Sequence, residues 1–274
     1  MTPADLVRTS GLADHEARRL LTAVTGRDAA ALTAAATIDP DDAARFTALA
    51  ARRRSGEPLQ YLEGTVDFGP LRLVVDGRAL IPRPETEYLW EMAVAAMGPT
   101  GPGTVLVDLC TGSGNLALAL RHAFPETRVL ATDIDAAALS LAKENAAGTG
   151  LDVEFLEGDL FAPLPRDLMG RVDLIVANPP YVAAGDLAAL PSEVRDHEPA
   201  GALFAGPTGL EVLERIADEA YWWLGVGGWL FCEIGEQQGE RALALFSGLD
   251  REIRPDLTGR DRYVVARKGA PCCV

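Results

Sequence analysis

The chain has 274 residues, 48% of them hydrophobic and 24% charged, which is ordinary globular composition and allows one large domain or a large and a small one. Its formal net charge is -15, from 25 Lys+Arg against 40 Asp+Glu, which argues against a surface that wraps nucleic acid. No run approaches a membrane span, and Met1 to Ser10 carries no signal-peptide pattern. The expectation is a cytoplasmic monomer with no nucleic acid and no membrane among its partners.

Residues 1–60 are rich in Ala, Leu and Arg with apolar positions at helical spacing. Leu12, Ala17, Leu20, Leu21 and Val24 make one stripe, and Ala43, Phe46, Leu49 and Ala50 another. Asp39-Pro40-Asp41-Asp42 supplies a cap and an acidic first turn. A small helical bundle is expected. Residues 61–82 change to strand formers (Tyr61, Val66, Phe68, Leu71, Leu73) interrupted by Gly64, Gly69-Pro70 and Asp76-Gly77. This reads as a β-hairpin linker, with Asp76-Gly77 as its turn candidate. The segment Ile81 to Glu87 then enters a helix reaching about Met97.

From 83 to 274 strand and helix alternate. Strands are expected at Thr104–Cys110, Arg128–Asp133, Val153–Asp159, Val172–Ala177, Gly228–Ile234 and Tyr263–Lys268. Helices are expected at Asn115–Ala123, Ala136–Ala147, Gly209–Leu224 and Gln237–Phe246. This rhythm predicts an α/β fold with a mostly parallel sheet covered on both faces. The last strands, near Arg251–Arg254 and Tyr263–Lys268, leave no room for a helix between them, so an antiparallel hairpin is expected.

Of four cysteines, Cys110 and Cys232 lie in apolar runs and read as reduced core thiols. Cys272 and Cys273 read as part of a disordered tail. His15, His122 and His197 have no ligand-like spacing, and no metal is expected.

Two motifs carry chemistry. Val105 to Cys110 runs into Thr111-Gly112-Ser113-Gly114-Asn115, a glycine-rich strand-to-helix turn over which a ligand can lie close to the backbone. Asp133 ends the next strand, 21 positions after Gly112, where a carboxylate can take two ribose hydroxyls. Asp159 ends the third strand and can accept from an adenine amino group, with Leu160 or Phe161 against the ring. The spacing Gly112-x-Gly114-x-x-Ala117 also satisfies a looser dinucleotide pattern, so NAD competes, and both aspartates could instead cap the helices that follow them.

The second motif is Asn178-Pro179-Pro180-Tyr181, directly after an apolar strand. Two prolines cannot continue a central strand, so a rigid loop must form at its C-terminal end, the edge where open α/β sheets bind ligands. An amide, backbone carbonyls and an aromatic ring on a stiff loop suit a planar –NH2 group, and point to methylation of a planar nitrogen. A nucleoside donor fits the aspartate on the third strand better than a dinucleotide does.

Together these motifs resemble the N5-glutamine methyltransferases of the class I S-adenosylmethionine-dependent superfamily, most closely the HemK/PrmC branch. The resemblance rests on Glu57-Pro58-Leu59-Gln60-Tyr61, Leu80 to Glu87, Asp108 to Gly114, Asn178 to Tyr181, Glu193-Val194-Arg195 with Glu198-Pro199, and Asp256 to Arg262. It implies a Rossmann-like sheet with an antiparallel C-terminal hairpin (83–274), a helical substrate-docking domain (1–60) and a linker (61–82). It implies S-adenosyl-L-methionine as donor and a peptide chain release factor as protein substrate, modified at the glutamine of a Gly-Gly-Gln motif. Cofactor contacts are implied at Asp108, Cys110, Thr111, Gly112, Ser113, Gly114, Asp133, Ile134, Asp159, Leu160 and Asn178. Substrate contacts are implied at Arg83, Glu85, Asn178, Pro179, Pro180 and Tyr181, the last four also catalytic. Asn115, Leu160 and His197 depart from the family's usual residues. An N-methyltransferase acting on a small guanidine or amide is the second reading, and a DNA adenine methylase the third.

Overall fold

The computed structural model describes residues 1–270, and Cys272 and Cys273 lie outside them. Five helices open the chain: α1 (Pro3–Thr9), α2 (Asp14–Thr25), α3 (Ala29–Ala34), α4 (Pro40–Arg54) and α5 (Leu59–Glu63). Their ends are chemically marked. The Thr2 hydroxyl accepts from Asp5 N, the Asp39 carboxylate accepts from Asp41 N ahead of Pro40, and Gly26 ends α2 in the left-handed region. The two expected stripes meet, burying Ala17, Leu20, Leu21, Phe46 and Ala50 in one cluster. Leu59 and Leu62 complete that cluster, so the bundle runs to Glu63, past position 60.

Strands β1 (Thr65–Phe68) and β2 (Leu71–Val74) form the expected hairpin. Phe68 pairs with Leu71, so the chain reverses at Gly69-Pro70 and not at Asp76-Gly77. The Asp76 carboxylate is instead occupied by the backbone N–H and guanidinium of Arg78. The hairpin is tied to the main domain by Asn145, which exchanges both amide hydrogen bonds with Val74. Polar contacts joining the bundle to the rest include Arg53 to Glu193 at 3.0 Å and the Tyr61 hydroxyl to the Ala79 carbonyl at 2.8 Å.

After helix α6 (Pro84–Ala96) come β3 (Val105–Leu109), α7 (Asn115–Ala123), β4 (Arg128–Asp133), α8 (Ala136–Thr149), β5 (Glu154–Glu157) and β6 (Val172–Ala177). The segment between 178 and 210, for which the sequence offered no periodic pattern, folds into β7 (Val182–Ala183), α9 (Ser192–His197), α10 (Ala200–Leu203) and β8 (Phe204–Gly206). The chain closes with α11 (Glu211–Trp223), β9 (Leu224–Glu233), α12 (Gly239–Leu245), β10 (Asp250–Pro255) and β11 (Asp261–Arg267). Strand β9 starts earlier than expected because Leu224 pairs with Val172 before a register shift, although Gly225-Val226-Gly227-Gly228 reads as a loop.

Seven strands form one sheet in the order β10-β11-β9-β6-β3-β4-β5. β11 runs antiparallel to both neighbours, as the missing connecting helix required, and the remaining pairings are parallel. Side-chain alternation divides the core in two. Val105, Val107, Leu109, Ile175 and Leu230 face α11 and α12, while Leu106, Leu174, Val176 and Phe231 face α6 and α7. Register then builds the site. Leu109 pairs with Thr132 and with Ala177, and Ala177 pairs with Cys232, so Cys110, Asp133, Asn178 and Glu233 emerge together at the C-terminal edge. Among the described residues no helix is long and apolar enough to cross a membrane.

Candidate active site

A cavity of about 500 Å³ opens over that edge. Cys110, Thr111, Gly112 and Ser113 line it from the turn after β3, Asp133 and Ile134 from the end of β4, and Asp159 and Leu160 from the loop after β5. Asn178 and Pro180 line it from the loop after β6, and Leu80, Ile81, Pro82 and Thr86 from the entry to α6. Two lining residues, Cys110 and Leu160, hold positive φ (57° and 48°) without being glycine. Such strain concentrates where a binding surface is over-determined by its surroundings.

Each acidic residue of the cofactor motif has a distinct environment. The Asp133 carboxylate accepts from Gly112 N at 2.8 Å and from Asp135 N at 2.9 Å, which locks it under the glycine turn and leaves one lone pair on each oxygen. Burial raises its pKa, partly opposed by these backbone bonds. It does not cap α8; Asp135 does, accepting from Ala137 N. Asp159 is half-exposed and paired with Arg215 of α11, a cavity residue that no sequence motif flagged.

Asp108 does not reach the cavity, contrary to the expectation of a cofactor contact. It is fully buried on a strand covered on both faces, where its Oδ2 accepts from the Thr111 hydroxyl (2.6 Å) and from Ala117 N (3.1 Å). Burial pushes its carboxyl up to about 7. It is a clamp holding the glycine turn against α7. Gly114 is also behind the surface: with φ +81° it starts α7, and an added Cβ would stand 3.1 Å from that of Ala142.

The acceptor motif is supported by a chain of buried polar groups. Asn178 Nδ2 donates to Thr86 Oγ1 (3.1 Å), and the Thr86 hydroxyl donates to Glu233 Oε2 (2.8 Å). The Tyr181 hydroxyl donates to Glu233 Oε1 (3.3 Å). Asn178 lines the cavity, and its Oδ1 is buried with no hydrogen-bond partner among the described residues. Tyr181 and Pro179 do not line the cavity; the Tyr181 ring lies under the Arg262 guanidinium at 5.9 Å. Gln238 Nε2 donates to the carbonyls of Tyr181 and Gly209, pinning the end of the motif.

Arg83 and Glu85, expected to meet the substrate, do not line the cavity either. Arg83 pairs with the buried Glu198, whose second oxygen accepts from Ile81 N. That couples the α6 entry to the segment after α9. The Glu85 carbonyl accepts from the Tyr263 hydroxyl at 2.8 Å. Thr86 and Glu233 were missed because nothing in the sequence marks a pair 147 residues apart. Cys232 is a buried thiol, as expected, whereas Cys110 is half-buried on the cavity wall.

The residues present fit a nucleoside carrying a positively charged sulfonium. A Cβ on Gly112 would meet no protein atom closer than 4.0 Å, so the turn itself needs the glycine for its φ of +56°. Carboxylates at Asp133 and Asp159 and the unpartnered Asn178 oxygen make the cavity rich in acceptors, and the cations on its wall among the described residues are Arg78 and Arg215.

A mostly parallel seven-stranded sheet with its penultimate neighbour reversed, a glycine turn after the central strand and acidic strand ends around one cavity define a class I methyltransferase. A solved methyltransferase from Pyrococcus furiosus shares this fold with a TM-score of 0.55 at 17% identity, covering 85% of this chain and all (100%) of that one. Residues 92–191 match the methyltransferase small domain, and residues 5–64 match the PrmC N-terminal domain. The release factor glutamine methyltransferase of Deinococcus radiodurans is 45% identical over 257 residues, 92% of this chain and 90% of that protein. The Mycolicibacterium smegmatis protein of the same name is 47% identical over 235 residues, covering 84% and 82%. The chain belongs to the release factor glutamine methyltransferase family.

Proposed function

We propose that the protein transfers a methyl group from S-adenosylmethionine to the side-chain amide nitrogen of the Gly-Gly-Gln glutamine in a peptide chain release factor. The observation that carries this reading is the unpartnered Asn178 Oδ1: a buried acceptor without a donor among the described residues, on a rigid loop, with its own N–H2 group tied back to Thr86. An unsatisfied buried acceptor costs about 1–3 kcal/mol, a cost that an incoming amide hydrogen removes.

The Thr111 to Ser113 turn would hold the donor, with Asp133 on the ribose hydroxyls and Asp159, Leu160 and Ile134 around the adenine. When bound, S-adenosylmethionine supplies an electrophilic methyl on a sulfonium. Asn178 Oδ1 takes one hydrogen of the acceptor amide and orients its nitrogen, which is a weak nucleophile because its lone pair is delocalised into the carbonyl. Alignment of this kind contributes roughly 7–11 kcal/mol in favourable cases. Asn178, a neutral amide tied to Thr86, does not take up the nitrogen's proton, which leaves to solvent after methyl transfer. Pro180, Leu80 and Ile81 exclude water from the same wall. The bundle, joined through Arg53 to Glu193 beside the cavity loop, would dock the protein substrate.

The test is incubation with labelled methyl donor and, separately, a release factor, free glutamine or arginine, and DNA. Label in the release factor, mapped to the glutamine by mass spectrometry, is the expected result. Label in a small molecule or DNA with the release factor unmodified would replace this reading with one of the other two.

A further inference from the structure

Glu233 is a deeply buried carboxylate, 1% exposed at the end of β9, that the methyl-transfer reading leaves unused. We propose that Glu233 is a positioning residue which, through the Thr86 hydroxyl, decides that Asn178 presents its oxygen and not its N–H2 group to the acceptor. This deepens the glutamine-methylation reading and rests on it.

The argument is one of hydrogen counting. A side-chain amide rotated by 180° keeps its shape but exchanges donor for acceptor. For Asn178 the two orientations are distinguished by a single neighbour, Thr86, whose hydroxyl has one hydrogen. An ionised carboxylate only accepts, so the Thr86 hydrogen is committed to Glu233 Oε2 at 2.8 Å. Thr86 Oγ1 can then only accept from Asn178, which turns Nδ2 toward Thr86 at 3.1 Å and leaves Oδ1 as the unpartnered atom. Remove the acceptor, or protonate it so that it donates, and the Thr86 hydrogen becomes available to Asn178 Oδ1. The amide then rotates and confronts an incoming N–H2 with another N–H2. Thr86 is 1% exposed, so water does not substitute in this chain.

The groups facing Glu233 set how readily it changes state. Arg262 of β11 favours the ion, and Glu85 of α6 opposes it. Tyr181 and Thr86 donate to it, and the Tyr263 hydroxyl is turned away to the Glu85 carbonyl. Burial dominates and pushes the carboxyl up to about 7, so both states are populated near neutral pH.

Four full-length variants test this: Glu233→Met, Glu233→Gln, Thr86→Val and Thr86→Ser. The acceptor is a release factor, and donor-site integrity is followed by calorimetry with S-adenosylhomocysteine. Losing the directing bond should cost about 10- to 100-fold in kcat/KM for the acceptor in Glu233→Met and Thr86→Val. S-adenosylhomocysteine affinity should stay within about twofold. Thr86→Ser, which keeps the hydroxyl, should stay within about threefold of wild type. Wild-type kcat/KM should rise with pH through about 7, and Glu233→Gln, which keeps an acceptor oxygen but does not titrate there, should lose that rise. Wild-type kcat/KM in Glu233→Met, or the same pH step in Glu233→Gln, overturns the proposal. If Glu233→Met does not fold, the Val and Ser variants at Thr86 decide alone, equal rates refuting it. Failure of the underlying reading would look different, with wild type leaving the release factor unlabelled. The inference then stands or falls on the Asn178 side-chain amide protons, whose slow exchange by NMR in wild type must be lost in Thr86→Val.

Discussion

Replacing Asn178 with alanine separates the chemistry of the site from its architecture. Among the described residues the side chain makes one hydrogen bond, to Thr86, and Thr86 keeps Glu233 after the substitution. Stability should therefore fall by only about 1 kcal/mol. Activity should suffer far more. Losing the open Oδ1 removes one hydrogen bond to the acceptor, about tenfold, and frees the nitrogen from its line of attack, about another 10²-fold. A drop of roughly 10³-fold in kcat/KM for a release factor is expected, measured with labelled donor. S-adenosylhomocysteine affinity should remain measurable and close to wild type, because the Thr111 to Ser113 turn and Asp133 are untouched. Turnover within about threefold of wild type would refute the role given to Oδ1. A donor affinity falling in step with activity would show instead that Asn178 serves mainly the donor.

Asp133→Ala removes both the proposed ribose acceptor and the partner of Gly112 N, so donor affinity should fall about 10- to 100-fold by calorimetry while the fold survives by circular dichroism. Gly209→Ala would place a Cβ 2.6 Å from the Tyr181 carbonyl oxygen at a φ of +79°, which should cost about 2–3 kcal/mol in urea unfolding and lower activity by displacing the motif. A neutral Gly209→Ala would mean that the loop yields more easily than its bonds to Gln238 imply. Asp108 has its folded pKa raised from 3.8 to about 7, so its protonated form is favoured by folding; its contribution is full below 3.8 and is lost as pH climbs through 7. Asp108→Asn should thus gain on wild type between pH 5 and pH 8, on the order of 2–4 kcal/mol in denaturant midpoint comparisons. An advantage that shrinks with rising pH would contradict the buried-carboxyl account.

The elements that follow a period were legible. The stripe from Ala17 to Leu21 is buried as its spacing required, and the absence of a helix between β10 and β11 forced the antiparallel return. The site's outline was legible too, because prolines at 179 and 180 must end a strand and the glycine turn must follow one. Misreadings fall where a residue type does not reveal which way it faces. Asp108 sits on β3, buried on both faces, where alternation carries no polarity signal, and it faces α7. Arg83 was implied as a substrate contact, but it pairs with Glu198, 115 residues away in the chain. Asp76-Gly77 resembled a hairpin turn more than Gly69-Pro70 did, yet the pairing of Phe68 with Leu71 chose the latter.

Local chemistry thus determined which segments turn, which strands are central and which residues could hold a donor and a planar amide, since backbone preference and burial act within a few residues. Tertiary structure decided what those residues do. Parallel pairing levels the ends of β4, β3, β6 and β9, so that Asp133, Cys110, Asn178 and Glu233 share one edge, and only there does Thr86 arrive from α6 to orient the amide. A hydrogen bond depends on distance and direction between groups far apart in the chain, and those are properties of the assembled sheet.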